Sequence, residues 1–139
     1  MVDDVLKKYP NDVKIVIKNF PLSFHKQAMK AARYVLAAKN QGKYYELYKK
    51  VMENYRNLKT NEDLPLQLAG ELGLDVEQLK QDASNPAIQS QIDTEISELK
   101  NSGIPRMSVP KFLINGKEPQ GRSLAAFSAV IESELKKKK

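Results

Sequence analysis

The spacing of apolar residues changes twice along the chain, and this change most constrains what the chain can fold into. Residues 13–20 are rich in β-branched side chains and carry apolar groups on both faces of a two-residue repeat, which is typical of a strand inside a covered sheet. From His25 to Leu99 the apolar residues recur every three to four positions, as in amphipathic helices. The period changes again at Lys111. The pattern therefore predicts a long helical block between two stretches of strand.

Helix-capping residues divide this pattern into separate helices. Asp75 with Gln78 three residues later resembles a capping box, Asn85-Pro86 is typical of an N-cap followed by the first helical residue, and Ser123 is predicted to cap the last helix. Pro10 ends the first helical segment. The predicted helical ranges are 2–9, 25–40, 44–55, 64–72, 75–79, 85–99 and 123–135.

A β-hairpin is predicted near the end of the chain. Asn115-Gly116 is the strongest two-residue signal for a hairpin turn, and it joins a short strand, Phe112–Ile114, to a returning strand, Lys117–Gly121. Because Pro119 has no N–H to donate, the returning strand is expected at the edge of a sheet.

Composition excludes several kinds of chemistry. The 139 residues contain no cysteine and one histidine, so they can form neither disulfides nor thiolate metal sites nor cysteine nucleophiles, and no multi-histidine zinc site. The sequence has no apolar run approaching the ~18 residues of a membrane span. Residues 1–20 lack the pattern of a signal peptide. The length suits one domain with a sizeable core, and neither an internal repeat nor a domain linker is evident.

Charge is unevenly distributed. The formal net charge is +6, residues 13–59 carry 11 Lys and Arg against two acids, and residues 60–99 carry nine acids against Lys80 alone. We interpret this as two helical segments with complementary outer faces, although a dipolar surface that steers a charged partner stays open. Mixed signs argue against a dedicated nucleic-acid binder. Lys136–Lys139 form either a solvated helix end or an electrostatic arm, and Asp93, Glu95 and Glu98 are predicted to form a solvated acidic helix face.

Four landmarks in this order resemble the DsbA-like thiol-disulfide oxidoreductases. They are Lys8-Tyr9-Pro10, the stretch 18–22 (KNFPL), His25 with Gln27-Ala28, and the stretch 109–116 (VPKFLING). The resemblance implies an α/β, thioredoxin-like fold that is incomplete, with the first strand and the active-site turn missing, and with an inserted all-helical block. It implies residues 1–22 as a partial first half of the core, 23–103 as the helical insertion and 104–139 as the second half.

Two departures from that family stand out. The family's first strand, its Cys-x-x-Cys motif and the start of the following helix have no counterpart here, and the loop Ile104–Val109 is about two residues longer and contains Pro105. Since the absent strand is central in the family, its neighbours would lose a pairing partner. We expect a sheet that closes the gap, a dimer through exposed strand edges, or a loosened sheet beside an intact helical block.

The resemblance also indicates a site and partners. Pro110 takes the place of the family's cis-proline, and the backbone of Val109 is implied to bind extended or unfolded polypeptide segments; an ordinary trans proline at the start of an edge strand is the alternative. No cofactor or metal is expected, nor a nucleic-acid partner. The family is largely extracytoplasmic or periplasmic, although no export signal is visible here.

Three functional hypotheses follow. The chain is the C-terminal bulk of a DsbA-like oxidoreductase, redox-inactive as written because it has no cysteine, with a Cys- or selenocysteine-containing motif preceding Met1. Alternatively, it is a cysteine-free peptide-binding or chaperone-like module that uses Val109 and Pro110. The third hypothesis is a charge-driven interaction protein that uses residues 13–59 or the terminal lysines.

Overall fold

The computed structural model describes residues 1–105 and 108–138. Within them the chain is predominantly helical, and the helices include two short 3₁₀ helices, Ala38–Gln41 and Tyr55–Lys59. The chain divides into two compact units, Lys18–Ile104 and Met1–Ile17 with Pro105–Lys139. The α-helices are α1 (Val2–Lys8), α2 (Ala28–Ala37), α3 (Tyr44–Glu53), α4 (Leu64–Glu71), α5 (Val76–Ser84), α6 (Pro86–Lys100) and α7 (Leu124–Lys137).

The three predicted N-caps are confirmed. The Asp75 carboxylate accepts a hydrogen bond from the Gln78 N–H at 2.9 Å, and the Asn85 side chain accepts one from the Ala87 N–H at 2.9 Å. The Ser123 hydroxyl accepts one from the Ala126 N–H at 3.1 Å. These side chains satisfy N–H groups that the first turn of a helix leaves without partners, so α5, α6 and α7 begin where the sequence predicts.

Helices α2 to α6 enclose the core of the Lys18–Ile104 unit. Helix α2 packs against α3, α4, α5 and α6. Leu47, Leu79 and Ile92 are fully buried in this core, and burial of a side chain of this size contributes about 1.5–3 kcal/mol. The core residues are Val35, Leu36, Ala37, Ala38, Leu47, Val51, Leu64, Leu68, Ala69, Leu74, Leu79, Ala83, Ile88 and Ile92.

A smaller apolar cluster holds together the unit formed by Met1–Ile17 and Pro105–Lys139. Val5 and Tyr9 pack against Phe127 and Ile131 of α7. Polar contacts extend the same interface, because the Tyr9 hydroxyl donates to Glu132 Oε1 at 2.7 Å and Lys8 Nζ donates to Ser128 Oγ at 2.9 Å. Helix α1 is therefore anchored to α7 by both burial and hydrogen bonds.

The predicted α/β, thioredoxin-like class, with its incomplete sheet and inserted helical block, is wrong for the described residues. Residues 1–105 and 108–138 contain no β-sheet, and their β pairing is limited to one isolated antiparallel bridge between Ile114 and Lys117. The strands predicted at residues 13–20, 112–114 and 117–121 are therefore not formed as sheet strands.

The stretch 13–20 shows why alternation alone does not make a strand. Val13, Ile15 and Ile17 are half-buried while the residues between them are exposed, so the two-residue repeat does set which side chains face inward. Val16, however, is 65% exposed, and the expected second covered face is absent. A strand requires a neighbouring backbone to pair with its N–H and C=O groups, and the described residues supply none here.

The hairpin stops after one bridge for a reason visible in its sequence. The Ile114 N–H donates to the Lys117 carbonyl at 2.8 Å, and the Lys117 N–H donates to the Ile114 carbonyl at 3.0 Å. The next hydrogen-bonded pair outward is Phe112 with Pro119. Because Pro119 has no N–H, it cannot donate one of the two hydrogen bonds of this pair, and the other, from the Phe112 N–H to the Pro119 carbonyl, is not formed. The predicted turn at Asn115-Gly116 forms, but the ladder beyond it does not.

Some expectations from the sequence stay predictions. They include the division of the chain into 1–22, 23–103 and 104–139 and the dimer through exposed strand edges. The lengthened loop Ile104–Val109 lies partly outside the described residues, as does the last lysine of Lys136–Lys139.

The predicted solvated acidic face of α6 is wrong at one position. Glu95 is 7% exposed. Its carboxylate accepts hydrogen bonds from the Asn19 backbone N–H at 2.6 Å, from Asn19 Nδ2 at 2.8 Å and from Gln91 Nε2 at 3.0 Å. A buried side chain of α6 therefore satisfies the Asn19 backbone N–H of the stretch 13–20, which forms no sheet pairing with the described residues.

We predict that Glu95→Ala lowers the free energy of unfolding by about 2–3 kcal/mol, because it leaves partly buried donors without an acceptor. Urea unfolding followed by circular dichroism measures the change. Glu98→Ala is the matched control on the same helix: Glu98 binds Lys18 Nζ at 2.7 Å in an exposed ion pair, and such pairs contribute little. Equal losses in both variants would contradict the role assigned to Glu95.

Candidate functional site

The segment that contains Val109 and Pro110 borders a small groove in the unit formed by Met1–Ile17 and Pro105–Lys139. The peptide bond between Val109 and Pro110 is cis; Val109 is half-buried and Pro110 is exposed. The groove has a volume of about 130 Å³, well below the ~300 Å³ at which small-molecule pockets begin. It can therefore hold one side chain rather than a cofactor. Its lining residues are Ser108, Pro110, Phe112, Glu118, Pro119, Gly121 and Arg122.

The backbone beside the groove is open. Among the described residues, neither the N–H nor the C=O of Val109 makes a backbone hydrogen bond. An extended peptide recognised by its main chain needs such an unpaired edge. Val109 thus has backbone groups without a backbone partner among the described residues, while Pro110 contributes to the wall of the groove.

Two charged contacts shape the rim. Lys111 Nζ lies 2.8 Å from the Glu118 carboxylate, and the Lys111 side chain is 10% exposed. Arg122 Nη2 donates a hydrogen bond to the Pro110 carbonyl at 3.2 Å. The first contact neutralises a carboxylate of the groove, and the second ties the Pro110 segment to the residue just before the cap of α7.

Helix α7 packs against a residue that lines the groove. The Phe112 ring meets the Phe127 ring of α7 edge to face, with centroids 5.2 Å apart and an interplanar angle of 71°. This arrangement is favourable for two aromatic rings. Since Phe112 also lines the groove, the position of the groove depends on the packing of α7.

Glu134 of α7 holds the hairpin turn. Its carboxylate accepts hydrogen bonds from Lys117 and Lys137 at 2.7 Å each and a longer one of 3.4 Å from Asn115. Asn115 has a φ of 48° and Gly116 a φ of 81°, the left-handed conformations that a two-residue hairpin turn requires. The hydrogen bonds from Lys117, Lys137 and Asn115 lower the pKa of Glu134 from 4.5 to about 2.

A wider concavity of about 490 Å³ lies in the Lys18–Ile104 unit, lined by Tyr34, Asp63, Leu66, Gln67, Gly70, Val76 and Lys80. Its charged groups already have partners, because Lys30 Nζ lies 2.8 Å from Asp63 and Lys80 Nζ lies 2.7 Å from Glu77. We therefore place the candidate site at the smaller groove, where the predicted residues are.

Within residues 1–105 and 108–138, no cluster of three or more His, Asp or Glu side chains is placed so that it could hold a metal ion. Nor does any helix in the described part of the chain combine the length and apolar character needed to cross a bilayer.

Sequence reasoning found part of this site and missed the rest. It located Val109 and Pro110, whose role in substrate binding stays a prediction. It missed the Lys111–Glu118 pair, although the hairpin register around Asn115-Gly116 makes these residues diagonal cross-strand neighbours. It also missed Arg122, whose partner is a backbone carbonyl and therefore leaves no residue pattern in the sequence.

Comparison with known families assigns the chain to one of them. The family model described as thioredoxin matches residues 1–133. The chain therefore belongs to the thioredoxin family. This membership rests on the sequence match. The described residues of this chain form no β-sheet.

Curated relatives are much longer than this chain. The chain is 30% identical over 132 residues to the Na(+)/H(+) antiporter NhaA of Herminiimonas arsenicoxydans, a match that covers 94% of the chain and 20% of that protein. It is 29% identical over 125 residues to the Na(+)/H(+) antiporter NhaA 1 of Mycobacterium sp. (strain KMS), covering 86% of the chain and 19% of that protein. The chain thus spans about a fifth of the length of these relatives. No solved structure matches it.

We predict that Glu134→Gln reduces the loss of folding stability that occurs as the pH falls. A carboxylate with a lowered pKa stabilises the folded chain above pH 4.5, and this contribution is lost as the pH falls toward about 2. Urea unfolding at a series of pH values measures it: the wild type should lose more stability than Glu134→Gln across this window. Glu53→Gln, at an exposed position of α3, is the control. An identical loss of stability in wild type and Glu134→Gln across this window would contradict the role assigned to Glu134 at the hairpin turn.

Proposed function

We propose that this chain is the C-terminal bulk of a DsbA-like thiol-disulfide oxidoreductase and that it supplies the surface that holds an extended polypeptide. The observation that carries the proposal is the thioredoxin family match over residues 1–133 in a sequence without cysteine. The four DsbA-like landmarks in the sequence add the finer assignment within that family.

Thiol-disulfide exchange separates into two tasks. A thiolate attacks a disulfide sulfur and a second thiol resolves the mixed disulfide, while a neighbouring surface holds the polypeptide that carries the disulfide. The 139 residues contain no thiol, so the thiols must lie outside them. What remains for this chain is the second task, binding and orientation.

The groove beside Pro110 suits that task. The backbone of Val109, which has no backbone partner among the described residues, is available to a peptide in extended conformation, and the groove of about 130 Å³ accommodates a single side chain of that peptide. Main-chain pairing supplies affinity that is independent of sequence, and the groove adds preference for one position. An extended or unfolded polypeptide is thus the proposed partner.

The same surface supports a second candidate, a cysteine-free peptide-binding or chaperone-like module that acts without thiol chemistry. The two candidates share the partner and differ in whether thiols are supplied from outside residues 1–139. The intact mass of the native protein therefore distinguishes the two candidates, whereas the test of the binding surface applies to both.

For the oxidoreductase, we predict that the protein from its source has an intact mass above the 15.7 kDa of these residues. The added segment should contain a Cys-x-x-Cys motif or its selenocysteine equivalent. Intact-mass spectrometry combined with the coding sequence upstream of Met1 measures this. A native mass of 15.7 kDa would remove the oxidoreductase and leave the cysteine-free module.

For the binding surface, we predict saturable binding of a fluorescein-labelled peptide of alternating Val and Thr, acetylated and amidated at its ends, measured by fluorescence anisotropy. Ser108→Trp should abolish binding, because the indole fills the groove that Ser108 lines. Ser90→Trp, at an exposed position of α6, should bind as the wild type does. Absence of saturable binding to the wild type, or undiminished binding to Ser108→Trp, would reject the groove as the peptide site.

A further inference from the structure

The groove beside Pro110 carries a positive charge that the described residues leave unneutralised. Among the residues that the structure describes, the charged side chains at the groove or its rim are those of Lys111, Glu118 and Arg122. Lys111 and Glu118 form an ion pair at 2.8 Å. Arg122 forms no ion pair with a carboxylate within residues 1–105 and 108–138. The described residues therefore give this surface the net charge of the Arg122 guanidinium.

The position of this guanidinium is defined by the backbone. Arg122 Nη2 donates to the Pro110 carbonyl at 3.2 Å, which holds the planar group against the wall of the groove. A guanidinium has five N–H donors in a fixed fork, and the contact with Pro110 uses one of them. The remaining donors are available at the groove, since Arg122 is exposed.

We propose that Arg122 binds a carboxylate of the extended polypeptide held at Val109 and Pro110. This inference rests on the proposed function and specifies its ligand: a peptide with an acidic group at the position that reaches the groove. A carboxylate is favoured over a neutral amide because the guanidinium fork offers two parallel donors to its two oxygens. Glu118 does not oppose such a ligand strongly, because Lys111 already neutralises it.

The contact with the Pro110 carbonyl gives Arg122 a second role. The same guanidinium that binds the carboxylate also holds the Pro110 segment, so ligand selection and groove geometry depend on one side chain. A lysine at this position keeps the charge but loses the fork. Arg122→Lys is therefore expected to retain part of the preference for an acidic peptide, whereas Arg122→Gln is expected to lose it.

The test compares three peptides on the alternating Val and Thr scaffold. The first contains one central Glu and an amidated C-terminus, the second contains Gln at the same position, and the third contains Gln and a free C-terminal carboxylate. Affinities are measured by fluorescence anisotropy with wild type, Arg122→Gln and Arg122→Lys. Arg56→Gln, which replaces an exposed arginine of the Lys18–Ile104 unit, is the control.

Wild type should bind the Glu peptide about three- to tenfold more tightly than the amidated Gln peptide, as an additional charge-assisted contact predicts. Arg122→Gln should abolish this ratio, and Arg56→Gln should leave it unchanged. Raising the salt concentration from about 0.1 M to about 1 M should reduce the ratio, because it screens the charge. Tighter binding of the third peptide than the second would identify the C-terminal carboxylate as a ligand, and tighter binding of the first would identify the acidic side chain.

Two results would overturn the inference. One is a wild-type ratio near one between the Glu peptide and both Gln peptides. The other is an equal loss of affinity for all three peptides in Arg122→Gln with an unchanged ratio, which would make Arg122 a purely positioning residue. Absence of binding to every peptide would instead reject the proposed function itself. Circular dichroism of Arg122→Gln confirms that the variant is folded.

Discussion

Backbone hydrogen bonding is the constraint on which the rest of this structure depends. Each buried N–H and C=O group needs a partner, and a helix supplies nearly all of them from its own segment. An extended segment depends on its neighbours instead. Helices α2 to α6 therefore form a complete core within Lys18–Ile104, whereas the extended stretch 13–20 stays outside any ladder. The buried carboxylate of Glu95 satisfies the Asn19 N–H in place of a neighbouring strand.

The same constraint explains how the candidate site is supported. With a ladder that ends at the bridge between Ile114 and Lys117, side chains of α7 hold the segment that carries the groove. Phe127 packs against Phe112, and Glu134 binds the hairpin turn through Lys117. The site is thus built on helix-to-loop contacts, which makes its geometry sensitive to substitutions in α7 at a distance from the groove itself.

The chain belongs to the thioredoxin family and contains no cysteine, so its own residues cannot supply a thiol. A surface without thiols can still determine which polypeptide is held and in which orientation. In the proposed function, the backbone of Val109, which makes no backbone hydrogen bond with a described residue, pairs with any extended chain, and Arg122 is proposed to select a carboxylate. The two proposals thus assign general affinity to the main chain and selectivity to one side chain.

The amino-acid sequence by itself determined the helices and their caps, because capping and apolar periodicity are local: Asp75, Asn85 and Ser123 act within three residues of their own positions. It also determined the turn at Asn115-Gly116. Only the tertiary structure decided which segments pair as strands, since residues 13–20 have a strand-like pattern but pair with no backbone of the described residues. Tertiary structure likewise decided the burial of Glu95 and the contact of Arg122 with the Pro110 carbonyl, because these partners are backbone groups, which every residue type shares and no sequence pattern distinguishes.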